Sequence, residues 1–297
     1  VKIVLGVDDA TRVKQTADLM QALRFQSATV ELVHVLDGRN ESFYPVELHR
    51  PDAISFYLKM QEDNAKELLA STWSDMKARD FANVSSHLIH GLMSNKLLDY
   101  CTETGADVLA LASSDKGSVE GVLIGSVTRK AVISARCSIL ISKRPVVSGR
   151  ALNVVLATDH SVYANKCIDE FIRWAPQGIG KMTVLTVFPE QLVKLMTSVI
   201  ENFKADAAGW VRAELERSNQ EVIRRLGSLG IERRSLVESG AVVDTLERVM
   251  KDEGADLLVL GAQGHGFVER LTLGSVSLDL AVRKPYSILV VRASTPP

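Results

Sequence analysis

Several things are scarce or missing in this chain, and each absence removes a class of function. Cysteine occurs three times in 297 residues, at Cys101, Cys137 and Cys167, with no C-x-x-C pair to begin a zinc site or a dithiol redox motif. That usage fits a reducing compartment. No apolar run reaches the roughly 18 residues of a membrane span, and Val1 opens directly into a strand-like run with no basic segment ahead of it. A cytoplasmic protein with no membrane partner is the expectation. Excess charge of either sign is also missing: 35 Lys and Arg stand against 36 Asp and Glu, for a formal charge of -1. No global basic field exists to release counterions from a polyphosphate backbone, so nucleic acid is not an expected partner. There is no G-x-x-x-x-G-K-[ST] loop, no S-G-G-x-D-S loop, no H-I-G-H motif, and no Ser, His and Asp arrangement resembling a nucleophile elbow.

What is present is ordinary globular material, 46% hydrophobic and 24% charged, long enough for two domains. Self-similarity decides the organisation. Gly105-Ala106-Asp107-Val108-Leu109 recurs as Gly254-Ala255-Asp256-Leu257-Leu258, Gly125-Ser126-Val127 as Gly274-Ser275-Val276, and Ser138-Ile139-Leu140 as Ser287-Ile288-Leu289, each pair 149 positions apart. Val4-Leu5 with Asp8 returns as Val155-Leu156 with Asp159. The segment 144–150 interrupts two apolar runs with Pro, Ser and Gly, as a linker does, and separates domains expected at 1–146 and 150–297.

Each half alternates short β-rich runs with helical patterns, which predicts an α/β fold with a five-stranded parallel sheet flanked by helices. Strands are expected at 2–7, 29–36, 84–90, 108–111 and 138–142, then at 152–158, 182–188, 232–238, 257–260 and 287–291. Val242, Leu246, Val249 and Met250 follow the helical period, with Gly254 as a stop. The stretches 40–80 and 191–229 each predict one long helix, broken near its start. Trp73, Trp174 and Trp210 fall in helical stretches and read as packing residues.

The segment most suggestive of chemistry follows the fourth strand of the second half: Gly261-Ala262-Gln263-Gly264-His265-Gly266, then Gly274-Ser275 opening a helix. Glycines allow backbone amides to approach a polyphosphate closely, the helix N-terminus favours its charge, and Ser275 adds a hydroxyl. The same glycines can serve as simple turn formers. Asp159, at a strand-to-helix junction, reads either as a helix N-cap or as a ligand. Ser161 is the better cap, which predicts an Asp159 carboxylate facing the pocket.

The spacing Gly261-x-x-Gly264, nine residues, Gly274-Ser275, with the strand order, Asp159 and the terminal Ile288-Leu289-Val290-Val291, resembles the ATP-binding subgroup of the universal stress protein family. The resemblance runs through the chain twice and implies two tandem Rossmann-like domains of the adenine-nucleotide-alpha-hydrolase type. It implies ATP, with Mg2+ as an accompanying ion, held by Thr158 and Asp159 on the base and ribose side and by Val187 against the adenine. Gly261, Gly264, Gly274 and Ser275 would hold the phosphates, and Gln263, His265 and Val276 would assist. It further implies a non-catalytic stress-response or signalling role with at most weak ATPase activity. Pairing through last strands, either within the chain or in a homodimer, and an unidentified protein partner are expected as well. A slow ATPase or adenylyl-transfer enzyme, or a flavin-binding relative, are the alternatives.

The first half lacks the loop. Ala112 and Asp115 occupy the positions of Gly261 and Gly264; a Cβ and a carboxylate there oppose a polyphosphate, so the expectation is ATP in the second half alone. Gly125 and Ser126, which survive, read as structural. His87 and His90 point to opposite faces of a strand and predict no metal site. His34, His49, His160 and His265 read as isolated surface residues.

Overall fold

The inner apolar runs form strands buried on both faces, the pattern of a sheet covered by helices on each side, while the segments 83–90 and 232–239 are largely exposed or half-buried. The computed structural model describes residues 1–37, 51–79, 81–113, 125–189, 191, 207–263 and 274–293. The first half comprises β1 (Lys2–Gly6), α1 (Ala10–Leu23), β2 (Thr29–Leu36), α2 (Pro51–Ala78), β3 (Asn83–His90), α3 (Met93–Thr104), β4 (Val108–Ala112), α4 (Ser126–Ser134) and β5 (Ser138–Ser142). The second comprises β6 (Leu152–Ala157), α5 (Val162–Arg173), β7 (Ile179–Phe188), α6 (Ala207–Arg225), β8 (Glu232–Ser239), α7 (Val242–Asp252), β9 (Leu257–Gly261), α8 (Ser275–Arg283) and β10 (Ser287–Val291). All ten expected strands are present, within a few residues of their expected ends. The two long helices are α2 and α6, the latter continued by a 3-10 turn at Leu226–Leu229; their predicted broken starts lie outside the described residues.

The strands form one ten-stranded sheet in the order β3-β2-β1-β4-β5-β10-β9-β6-β7-β8. Among the strands described, pairing is parallel within each half and antiparallel where β5 meets β10. One face is covered by α1, α2, α5 and α6 and the other by α3, α4, α7 and α8, and the two large hydrophobic clusters each run across both halves. The repeated Gly-Ala-Asp has a local cause. Gly105 and Gly254 take positive φ (64° and 54°) at the ends of α3 and α7, a conformation that suits glycine. Asp107 and Asp256 then accept from the backbone amides of Lys2 and Asn153, each at 2.8 Å, and tie the fourth strand of each half to its first.

The β5–β10 seam obeys the repeat as a two-fold. Leu140 faces Leu289, while Ile139 faces Val290 and Ile141 faces Ile288. Ser138 Oγ accepts from the Arg292 amide at 2.9 Å, and its counterpart Ser287 Oγ accepts from the Lys143 amide at 3.1 Å. The side chains of the same two basic residues cross over. Lys143 Nζ donates to the Ala281 and Lys284 carbonyls, both at 2.6 Å, at the end of α8. Arg292 Nη2 donates to Val132 O at 3.1 Å at the end of α4. Both residues are buried, and each places a cation where a helix leaves orphan carbonyls and partial negative charge. Burial holds the Arg292 guanidinium below its ordinary pKa.

A second contact joins the halves beside the linker. Gln177 and Gly178 donate to Arg24 O and Leu23 O at 3.1 and 3.0 Å, and Phe25 packs edge-on to Trp174 with ring centroids 6.0 Å apart. Trp174 is the one tryptophan in the core; Trp73 and Trp210 are exposed, contrary to the packing role expected of them. Trp73 instead donates its indole N–H to Val84 O. At Gly178 the chains approach so closely that an added Cβ would lie 1.6 Å from Ala22 O.

Two substitutions test the seam by urea unfolding. Lys143→Met preserves bulk but leaves helix-end carbonyls without their donor, and the expected loss is about 3 kcal/mol. Gly178→Ala forces the two backbones apart, with an expected loss of at least about 3 kcal/mol. Losses below about 0.5 kcal/mol, the range of an ordinary surface substitution, would show that neither contact holds the halves together.

Candidate functional site

In the second half, the chain runs β6, β7, β8 in one direction across the sheet and then returns to β9 and β10 on the other side of β6. Such a reversal leaves a crevice at the carboxyl ends of the strands, the usual ligand position in open α/β sheets. A cavity of about 440 Å³ lies there, within the range of small-molecule sites. Its walls are apolar: Leu185 and Val187 from β7, Val242 and Leu246 from α7, and Leu260 from β9. Its polar lining comprises Thr158, Asp159, Gln263, Ser275 and Ser277.

At one end of the cavity α8 begins. Its N-cap, Gly274, has no side chain to cap the first turn, so the amides of that turn have no side-chain acceptor from the cap position and face a cavity suited to an anion. Gly274 is fixed by its amide donating to Ala262 O at 2.8 Å, and Ser277 Oγ donates to Gly261 O at 3.0 Å. An added Cβ at Gly261 would lie 3.4 Å from Gln263 O and 3.5 Å from Cys167 Sγ. It would meet α5 at near-ordinary contact distance, so an alanine is nearly accommodated. The steric part of the expectation against Ala112 is therefore weaker than the glycine pattern suggests. Burial pushes the Cys167 thiol up to about 11, and it donates to Val291 O, so it is a neutral packing group and not a nucleophile.

The β6–α5 turn is more constrained than its sequence suggests. Thr158 Oγ1 accepts from the His160 amide at 3.1 Å, Asp159 Oδ1 from the Ser161 amide at 3.0 Å, and Ser161 Oγ from the Ala164 amide at 3.1 Å. Ser161 is thus the N-cap, as expected. Asp159 lines the cavity but is not left wholly to it, because the tight turn brings the Ser161 amide within reach of one oxygen. His160 takes a φ of +58°, a conformation costly for a non-glycine residue. Its Nε2 lies 2.9 Å from Thr186 Oγ1 and 3.0 Å from Asn219 Oδ1. Thr186 donates to the same Asn219 oxygen at 2.7 Å, and Asn219 Nδ2 donates to Leu236 O, Val184 O and Ser235 Oγ. His160 is therefore part of a buried polar network and not an isolated surface residue.

Of the residues singled out in the sequence, Thr158, Asp159, Val187, Gly261, Gln263, Gly274, Ser275 and Val276 line this one cavity. Gly264 and His265 lie outside the described residues. The apolar walls from Val242 and Leu246 were visible only as core periodicity, since a binding wall and a core stripe share one pattern. Among the described residues, no group of three or more His, Cys, Asp or Glu is gathered to hold a metal ion. His87 sits against Ser85 Oγ and the Tyr100 ring. No helix among the described residues is long and apolar enough to cross a membrane.

Comparison with known proteins agrees with the architecture. The model of the universal stress protein family matches twice, at residues 2–143 and 152–292. A Staphylococcus haemolyticus protein assigned to the universal stress proteins is 27% identical over 146 residues, covering 49% of this chain and 87% of its own. The crystal structure of a universal stress protein from Archaeoglobus fulgidus superposes with a TM-score of 0.70 at 18% identity, covering 99% of this chain and 98% of that one. A Pseudomonas aeruginosa protein described as a universal stress protein gives a TM-score of 0.62 at 13% identity, covering 98% and 92%. With both halves matched in sequence and the whole architecture shared, this chain belongs to the universal stress protein family as a tandem member.

Proposed function

We propose that this chain is a non-catalytic, ATP-binding stress-response protein that holds one nucleotide in its second half, with the two domains divided at 1–146 and 150–297. The observation that carries the reading is one cavity that joins an apolar cleft to the uncapped N-terminus of α8. The apolar walls suit a flat base. Asp159, an acceptor when ionised, suits ribose hydroxyls and repels phosphate, so the base and sugar lie toward β6 and β7. The amides of α8, Ser275 Oγ, and the glycines 264 and 274 suit the phosphates. Magnesium would enter with the nucleotide, carried on its phosphates.

Hydrolysis is disfavoured by the chemistry available. Cys167, the thiol beneath Gly261, is held neutral, and no basic side chain is among the described lining residues to stabilise a leaving phosphate. Nucleotide occupancy would act by favouring one conformation and hence one partner. A cytoplasmic location follows from the cysteine usage. Since β5 and β10 already pair within the chain, the pairing surface of the family is consumed internally, and a homodimer would have to use another face.

Calorimetric titration of ATP is the direct test. One ATP per chain is expected, weakened at least about tenfold, or about 1.4 kcal/mol, by Gly264→Asp, which installs the residue the first half carries. No heat of binding in the unmodified protein would overturn the reading. The His160 network gives a second test, because it holds the turn that presents Asp159. His160→Ala removes the Nε2–H shared between Thr186 and Asn219 while keeping the unfavourable φ, and is expected to cost about 2 kcal/mol in thermal unfolding and to weaken ATP about tenfold. Lower stability with unchanged affinity would confine the network to a structural role.

A further inference from the structure

The first half keeps a counterpart of the cavity described above, about 340 Å³ at the carboxyl ends of β1, β2 and β4. Away from that cleft, at the amino ends of β4 and β5, it departs from the repeat. Cys101 and Cys137 stand where the second half has Met250 and Tyr286, each 149 positions on. Met250 and Tyr286 are buried in the core as ordinary packing residues. The first half has two thiols in their place.

The cysteines are far apart in sequence, and the fold brings them together. Cys101 lies in the last turn of α3, and its carbonyl accepts from the Ala106 amide at 2.9 Å as the chain turns toward β4. Cys137 directly precedes β5, whose first residue, Ser138, donates its amide to Asp107 O at 3.0 Å. Both cysteines are thus anchored to Ala106-Asp107. Their side chains share one hydrophobic cluster, and their thiols share a hydrogen bond. Cys101 is buried and Cys137 half-buried.

A cation from the other half completes the group. Ser138 Oγ accepts from the Arg292 amide, and the Arg292 side chain reaches Val132 O near the end of α4. The guanidinium therefore runs from the residue after Cys137 to the helix before it, which brings it beside that thiol. Its Nε is buried without a hydrogen bond, a state uncommon in folded proteins, and a thiolate on Cys137 would supply a nearby anion. The two thiols are not equivalent. Despite burial, the hydrogen bond from Cys101 and the charge of Arg292 hold the Cys137 thiol below its ordinary pKa. The same hydrogen bond, burial and the carboxylate of Glu31 push the Cys101 thiol up. Cys137 is therefore the thiolate of the pair and also the more accessible sulfur. A thiolate within reach of solvent, with a second cysteine beside it, is the arrangement that reacts with peroxides.

We propose that Cys137 and Cys101 form a peroxide-reactive dithiol, with Cys137 as the attacking sulfur, Cys101 as the resolving sulfur and Arg292 as the positioning cation. The Cys137 thiolate attacks one oxygen of hydrogen peroxide. The S–O bond forms, the O–O bond breaks, and the released hydroxide takes the Cys101 proton and leaves as water. The Cys101 thiolate then attacks the Cys137 sulfenic sulfur. The S–S bond forms, the S–O bond breaks, and the second hydroxide recovers from solvent the proton that Cys137 gave up on ionising. Each sulfur loses one electron and the peroxide gains both; exchange with an external dithiol reverses the step. The disulfide ties α3 to the start of the seam strand and removes the thiolate beside Arg292, so oxidation in the first half reaches a cation of the second. None of this depends on the nucleotide reading.

The test treats the full chain with hydrogen peroxide, then alkylates, digests and weighs the peptides. The expected result is a cross-link between Cys101 and Cys137 that dithiothreitol releases, with Cys167 still alkylated. No such cross-link in the unmodified folded chain, or oxidation of Cys167 as fast as Cys137, overturns the proposal without recourse to any variant. Cys101→Ser is expected to stop at a Cys137 sulfenic acid that dimedone traps, and Cys137→Ser to leave Cys101 unmodified. Sulfenic acid formed faster on Cys101 than on Cys137 overturns the assigned roles. Arg292→Met is expected to slow oxidation of Cys137 by at least about tenfold, and Arg292→Lys to restore most of the rate. Equal rates in a folded Arg292→Met and the unmodified chain overturn the part given to the guanidinium.

Discussion

The antiparallel pairing of β5 with β10 is the constraint from which the rest of this molecule follows. Two parallel five-stranded sheets each end in a strand that is buried in the finished protein, and neither could leave that edge bare without exposing ladder groups and apolar side chains. Joining them edge to edge solves both problems at once. The pairing carries its own polar supplement: Ser138 and Ser287 accept the amides of Arg292 and Lys143, and those two residues send their side chains to the ends of α4 and α8. Burying cations is expensive, and the cost is offset only because each finds carbonyls that a helix terminus leaves unpaired. A neutral side chain of equal size would fill the space and abandon the carbonyls.

The two-fold of the seam also decides where the clefts lie. Strands are parallel within a half and antiparallel across the seam, so the carboxyl ends of β1, β2 and β4 point opposite to those of β6, β7 and β9. The cavities therefore open at opposite ends of the sheet, and ligands in them cannot touch. What differs between them is small in residue count and large in chemistry. Arginine in place of Tyr163 and valine in place of Thr158 alter charge and hydrogen bonding while the apolar walls remain.

Much of this was legible in the sequence, for reasons that differ by feature. The repeat and the strands were clear because fully buried parallel strands read as continuous Val, Leu and Ile runs, and the Gly-Ala-Asp copies report a positive-φ helix stop and a strand tie that both halves need. Eight of the ten residues singled out for nucleotide line one cavity, because loop glycines and the helix start that follows them are local in the chain. The His160 network was invisible because its members lie 26 and 59 residues from the histidine, and no periodicity links a turn to the middle of α6. The engagement of Asp159 was missed for a related reason: whether an Asp faces a pocket or a neighbouring amide depends on turn geometry set by His160. The first-half cavity has no sequence signature, because its walls are ordinary core residues.

The seam gives the two clefts a physical connection. Helix α4 starts at the first cavity and α8 at the second, and the two helices are in contact with one another across the seam. Their far ends are held by basic residues of the opposite half, Arg292 on α4 and Lys143 on α8. A ligand that draws either helix toward its cavity must therefore strain a cation belonging to the other domain. Because the contact is mutual, a displacement of either helix is felt by the other half. A paired single-domain protein would carry such coupling between identical sites.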